Sequence, residues 1–170
     1  TLRAEVFYKN YKNLEKSVVQ NFVTLPENLN GNGFAKGFEL LWNDKKSFEN
    51  FTYRISYSYL DSRRNYLNYP SELFPSFASK HNLSVVTSKF ISKWKTGLGV
   101  SYQYASPRPS YNIILKDGVN SLLETKQSKN YNVLNLSMYY LPNLGKKDAK
   151  SFTILVAGIN NILNFKNNFG

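Results

Sequence analysis

The sequence has no cysteine, a single histidine, no run of about 18 or more apolar residues, and no stretch with capped helical periodicity. Each gap removes a class of protein. Without Cys there is neither a disulfide framework nor a thiolate metal site, and the redox compartment is left open. One histidine, His81, cannot form the His pair of a zinc site, and no Ser, His and Asp set accompanies it. Without a long apolar run there is no transmembrane helix, a test that is silent about membrane strands. The N-terminus, TLRAEVFYKN, alternates like a strand and has no basic-then-apolar leader. Acidic residues are also scarce, 11 against 22 Lys and Arg, for a formal charge of +11. Arg63, Arg64 and three others are the only arginines, so the charge suits a solvated basic surface better than a phosphate clamp or a base reader.

Aromatic residues are plentiful, with 13 Tyr and 12 Phe, and they fall in alternating ribbons. In WKTGLGVSYQY, residues 94–104, Trp94, Thr96, Leu98, Val100, Tyr102 and Tyr104 share one face, with Lys, Gly, Ser and Gln between them. FENFTYRISYSYL sets Phe51, Tyr53, Ile55, Tyr57 and Tyr59 against Thr52, Arg54, Ser56 and Ser58. Two solvents suit such a ribbon. A sandwich turns the apolar face to a protein core, and a membrane barrel turns it to lipid around a wet lumen.

Seven segments read as strands: 2–15, 34–44, 48–61, 80–91, 94–105, 131–141 and 151–161. Their connections alternate. NDKKS, ISK and PNLGKKDAK are short, whereas the other three, such as DSRRNYLNYPSELFPSFASK, are long and polar. All short turns then lie at one end of a meander and all long loops at the other, as in outer-membrane barrels. The aromatics sort by depth as well: Trp94 at the short-turn end, Leu98 and Val100 central, Tyr102 and Tyr104 at the long-loop end. The expected fold is all-β, an antiparallel up-and-down meander of about seven long strands forming a segment of a transmembrane β-barrel.

The run GFAKGFELLWNDKKSFENFTYRISYSYLDSRRNYLNYPSELFPSFASKHNLSVV, with GLGVSYQYASPRPSYN and the closing VAGINNILNFKNNFG, resembles the late barrel strands of TonB-dependent outer-membrane receptors. The resemblance spans nearly the whole chain and follows strand and loop order, through habits of sequence and not catalytic signatures. It implies a barrel of about 22 strands around an N-terminal plug. It further implies uptake of a scarce nutrient (metal chelate, vitamin or glycan) with energy relayed by TonB. Residues 1–170 carry no plug, no TonB-contacting box and no final strand ending in an aromatic residue. On that pattern they are expected to be a piece of the C-terminal barrel, meeting TonB through a region outside them. A porin-like or smaller barrel without TonB is the alternative, and a soluble basic β-protein binding nucleic acid is a remote third.

No catalytic, cofactor-binding or metal-ligating residue is indicated, and the chain is not expected to be an enzyme. Glu5 and Glu39 fall inside strands and are expected to face the lumen, paired with Arg3 or Arg54, because a carboxylate facing lipid is costly. GNGFAKG leads into a strand and not a helix, so it is read as turn chemistry and not as a phosphate loop. Arg63, Arg64, Tyr66, Tyr69, Arg108 and Tyr111 fall in the long loops. They are the candidate contacts for an incoming substrate or for lipopolysaccharide phosphates, with solvated loop surface as the plainer reading and nucleic acid disfavoured. His81 is expected to be structural, at the descent of a loop into a strand. Lys45, Lys46, Lys93, Lys95, Lys146, Lys147 and Lys150 gather at the short-turn end, where ammonium groups would snorkel to an interface and keep edges soluble.

Overall fold

A computed structural model describes residues 1–20, 23–146, 148 and 151–167. Among them are nine strands: β1 (Leu2–Gln20), β2 (Val23–Phe48), β3 (Phe51–Asn65), β4 (His81–Ile91), β5 (Thr96–Ala105), β6 (Pro109–Lys116), β7 (Val119–Gln127), β8 (Tyr131–Tyr140) and β9 (Leu155–Ile159). Seven form one antiparallel sheet in the order β1-β2-β3-β4-β5-β8-β9, and β6 and β7 pair as a separate hairpin. The sheet is open, with β1 and β9 at its edges.

Directly paired residues in an antiparallel ladder share a face, so the register tests the alternation. Ala4, Leu40 and Tyr57 align in one row, as do Leu2, Trp42, Ile55, Val85, Tyr102 and Leu134. On the other face Glu5, Glu39, Ser58, Asn82 and Ala105 align, as do Ser84, Gln103 and Val133. One face is therefore aliphatic and aromatic, and the other is largely hydroxyl, amide and small. Glu5 and Glu39 lie on the polar face as expected, where Arg3 reaches Glu5 at 2.6 Å. That pair offsets the repulsion of two carboxylates set opposite each other.

The apolar face covers nothing. Val6 is 84% exposed, and Trp42, Leu98, Met138 and Ile159 are exposed with it. The chain exposes 12025 Å², against about 8,600 Å² for a soluble monomer of its mass. The buried apolar side chains among the described residues are Ala35, Tyr69, Phe74, Pro75 and Ala78, and they lie at the long-loop end, away from the apolar rows. A sandwich would have its core where this sheet has open surface.

Several boundaries differ from the sequence reading. The first long loop is largely strand: β1 continues to Gln20 and returns from Val23, an extended hairpin whose register shifts three times between Tyr11 and Ser17. Such bulges absorb extra residues and increase the twist. Pro26 is tolerated there because β2 gains its second partner, β3, only from Asn32 onward. GNGFAKG is neither turn nor phosphate loop but part of β2; a Cβ at Gly37 would lie 2.0 Å from the Tyr59 carbonyl oxygen. NDKKS is an irregularity within β2, followed by a turn at Glu49 and Asn50. Asp44 organises it, accepting from the Ser47 hydroxyl and from the Ser47 and Lys46 amides, and these bonds hold its carboxyl well below the usual carboxylate range.

Trp94 is not in a strand. It closes a 3-10 turn over Ser92–Trp94, and Lys95 then takes a left-handed conformation before β5 begins. Leu98 is consequently only two residues above the turn, opposite Lys89, and the central level of β5 falls at Val100. β9 is shorter than 151–161: Asn161 turns left-handed and its side chain accepts from the Phe165 amide, which ends the ladder. Lys147 and Lys150 lie outside the described residues.

Gly97 has a specific packing reason. The Tyr139 ring lies across it, so that a Cβ would sit 2.1 Å from ring carbons, and Tyr139 stacks on Phe90 with centroids 6.1 Å apart. Gly97→Ala is expected to destabilise the folded barrel by about 1–3 kcal/mol through overpacking. In a Tyr139→Ala background the same change should cost far less. Urea titration of the four variants of this cycle in lipid vesicles checks the coupling, and additive losses would refute it.

Candidate functional site

The long-loop end is a tied platform. β3 leads into residues 66–80, which run back to β4, and β5 leads into the β6–β7 hairpin. Both meet the extension of β1. The Ser17 amide donates to the Leu67 carbonyl, the Leu67 amide donates to Glu15, and the Asn120 side chain donates to the Ser17 carbonyl. Ser17 is 1% exposed at this junction. Lys16 adds a second tie, its Nζ donating to Asn65 Oδ1 at 2.6 Å and to the Tyr69 carbonyl at 2.5 Å. Burial pushes the Lys16 ammonium below its usual range, partly opposed by Glu27.

The six candidate residues separate into three groups. Arg64, Tyr66 and Tyr69 are packed. The Arg64 guanidinium lies 4.4 Å from the Tyr11 centroid, 5.5 Å from Phe77 and 5.8 Å from Tyr66. Tyr69 meets Tyr66 edge-on at 5.0 Å and Tyr111 at 5.3 Å, and its hydroxyl accepts from the Ser76 amide. Burial raises the Tyr66 and Tyr111 phenols above their ordinary range, and neighbouring Tyr69 adds to this.

Arg63 and Tyr111 form the second group. Arg63 follows Tyr59 and Asp61 on the apolar side of β3, and it lines a cleft of about 280 Å³ with Tyr111, Phe74, Lys80 and His81. Arg108 stands apart on the polar side. Its Nε donates to Ser79 Oγ at 3.3 Å, while its amide and carbonyl bind Ser128 and close the base of the β6–β7 hairpin. It also lines a cleft of about 320 Å³ floored by Ser56, Ser58, Asn82, Ser84 and Gln103. This is a shelf of neutral hydrogen-bonding groups on the sheet face opposite the apolar belt.

His81 stands at the descent into β4: Tyr57 Oη lies 2.8 Å from its Nδ1, and its amide donates to Ser106. Lys16, Ser17, Phe74 and Asn120 escaped the sequence reading. Asp117–Gly118, both at positive φ between two apolar-rich runs, was an available signal for the β6–β7 hairpin. Nothing local marked Lys16, whose partners lie 49 and 53 residues away.

Long strands, a belt of exposed apolar side chains, short turns at one end and packed loops at the other define the wall of an outer-membrane β-barrel. The family model for TonB dependent receptor-like β-barrels matches residues 1–162, and the chain belongs to that family. No curated protein matches the chain significantly. The family is one of outer-membrane receptors and transporters and not of enzymes. In outer-membrane barrels the apolar face meets lipid, the short turns are periplasmic and the long loops extracellular.

Proposed function

We propose that the chain is one arc of the wall of a receptor that takes up a scarce nutrient, a metal chelate, vitamin or glycan, with energy supplied through TonB. The observation that carries this reading is the uncovered apolar face, which needs lipid as its solvent. Backbone groups at an open sheet edge are not left unpaired in hydrocarbon, so further strands are expected beyond both β1 and β9. The nutrient would descend along the polar side, past the shelf that includes Ser58, Gln103 and Arg108. Arg64, Tyr66 and Tyr69 would hold the loops that frame this path. The belt would contact outer-membrane lipid and, at the outer leaflet, lipopolysaccharide.

The test is uptake by cells carrying or lacking the full-length gene, with each nutrient class limiting in turn. Deletion is expected to abolish growth on one class at nutrient levels too low for diffusion, and loss of TonB should have the same effect. Uptake that continues when TonB is absent and the proton-motive force is collapsed would support a porin-like barrel instead.

A further inference from the structure

We infer that a further cleft on the polar side, next to the shelf of Ser58, Ser84 and Gln103, holds an acidic sugar ring, the uronate unit of an oligosaccharide; this rests on the receptor reading above and names its substrate class. Three connections build the cleft, which encloses about 230 Å³. Ser76 and Ser79 come from residues 66–80, Ser106 and Arg108 follow β5, and residues 128–130 lead into β8. Hydrogen bonds hold these connections together before any ligand arrives. The Ser106 amide donates to the His81 carbonyl and the His81 amide donates to Ser106 Oγ, while the Asn167 side chain braces the start of β8 through the Asn132 amide and carbonyl. Ala105 and Tyr131 stand in the polar row with Ser58 and Asn82. With Arg108 they line both this cleft and the shelf cleft, so the two are continuous. Together they fall within the range of ordinary small-ligand sites, about 300–1,000 Å³, which leaves room for more than one ring in line.

The lining fits a hydroxylated anion. Ser79 Oγ accepts from Arg108 Nε and Ser106 Oγ accepts from the His81 amide, so each hydroxyl keeps its own proton to donate. Ser79 is 6% exposed, which makes its hydroxyl a fixed donor and not a mobile surface group. Arg108 and Lys129 bring two positive charges, and among the described residues no carboxylate lines either cleft. A ligand carboxylate is the group that such donors and cations hold strongly, through charge-assisted bonds. The remaining surface is neutral. Ser58, Ser84 and Gln103 stand on the shelf, and the Tyr131 hydroxyl lies 3.5 Å from Gln103 Oε1. Hydroxyl and amide groups spaced along a wall call for a ligand that returns hydrogen bonds along its whole length, as an oligosaccharide does. A mostly apolar ligand would strip their water and leave them unpaired. A chelate bearing several negative charges would meet only two cations in this lining.

The test uses the intact receptor in mild detergent, with binding followed by isothermal titration calorimetry. The probes are the trisaccharides of galacturonate and of mannuronate, and each again after its carboxylates are reduced to alcohols. At least one uronate trisaccharide is expected to bind, and its reduced form about tenfold more weakly, or about 1.4 kcal/mol. Arg108→Gln with Lys129→Gln should cost the uronate form the same factor and leave the reduced form unchanged. Ser79→Ala with Ser106→Ala should weaken both forms. Lys116→Ala with Lys126→Ala, which removes the same charge from the β6–β7 hairpin outside the cleft, should change neither. Heat-modifiable migration reports folding, and Lys129→Gln alone replaces the glutamine pair if that pair does not fold.

Absence of binding by both uronate trisaccharides overturns the proposal. Equal affinity for the acidic and reduced forms overturns carboxylate recognition. Unchanged binding in the cleft variants, or an equal loss in the hairpin variants, overturns the site. TonB-dependent growth on another nutrient class, with no uronate binding, overturns the cleft assignment alone. Growth on every limiting nutrient that continues unchanged without the full-length gene would instead overturn the receptor reading.

Discussion

Val100→Arg is expected to cost the folded barrel about 2–4 kcal/mol, because it places a guanidinium near the bilayer midplane on the lipid side. Val100 lies midway along β5, with Thr87 and Leu136 as its neighbours in the ladder. None of these can pair with a cation, and lipid cannot hydrogen-bond it. Leu98→Arg should cost only about 0–1 kcal/mol, since the penalty falls toward the interface. Leu98 is two residues from the turn, and Lys89 already occupies the same level beside it. Gly99→Ser, on the lumenal face, should cost under about 1 kcal/mol: the new Cβ would come within 2.4 Å of Ser137 Oγ, a hydroxyl that can rotate away. Urea-induced unfolding of the full-length barrel from phosphatidylcholine vesicles measures all three. Equal losses for Val100→Arg and Gly99→Ser would remove the lipid-facing assignment. Equal losses at Val100 and Leu98 would remove the depth assignment alone.

That contrast between positions 98 and 100 marks where sequence reasoning stopped. Facing follows from a period of two, which a single strand displays in full, so Tyr53, Ile55 and Tyr57 were separable from Arg54 and Ser56 without any structure. Depth depends on where the turn ends. The left-handed Lys95 that shortens β5 is set by a hydrogen bond to Ser92 across the turn. The extended β1–β2 hairpin was hidden for a related reason. Its Asn, Pro and Gly residues are loop formers by propensity, and cross-strand pairing with three register shifts overrides them. Charge and aromaticity pointed to Arg63, Arg64, Tyr66, Tyr69, Arg108 and Tyr111 as one group of surface contacts. The fold assigns them different environments, because residues 63 and 64 lie on opposite faces of one strand. Arg64 turns toward Tyr11 and Phe77, while Arg63 turns toward the outward cleft.

Tyr69→Ala should release the long-loop platform while leaving the strands intact. Tyr69 is 5% exposed in the small core of the loops, and replacing a buried aromatic by alanine typically costs about 3–5 kcal/mol. The rings of Tyr66 and Tyr111 would lose their shared neighbour, and the Ser76 amide would lose its acceptor. The Lys16 bond to the Tyr69 carbonyl depends on the same backbone position, so the tie to β1 should loosen with it. Hydrogen exchange of the intact receptor is therefore expected to show lost protection at Leu67, Leu73 and Ser76, whose amides are bonded within the platform. Amides of the β3–β4 ladder near Ile55 should keep theirs. Tyr69→Phe retains the ring and removes only the hydroxyl, a change worth about 0.5–1.5 kcal/mol. Protection at Leu67 and Leu73 close to wild type in Tyr69→Phe, with its loss in Tyr69→Ala, would identify ring packing as what holds the loops; the Ser76 amide loses its acceptor in both variants. Equal effects of the two changes would transfer that role to the hydroxyl, and no effect of either would mean that the ties at Lys16 and Ser17 suffice without this core.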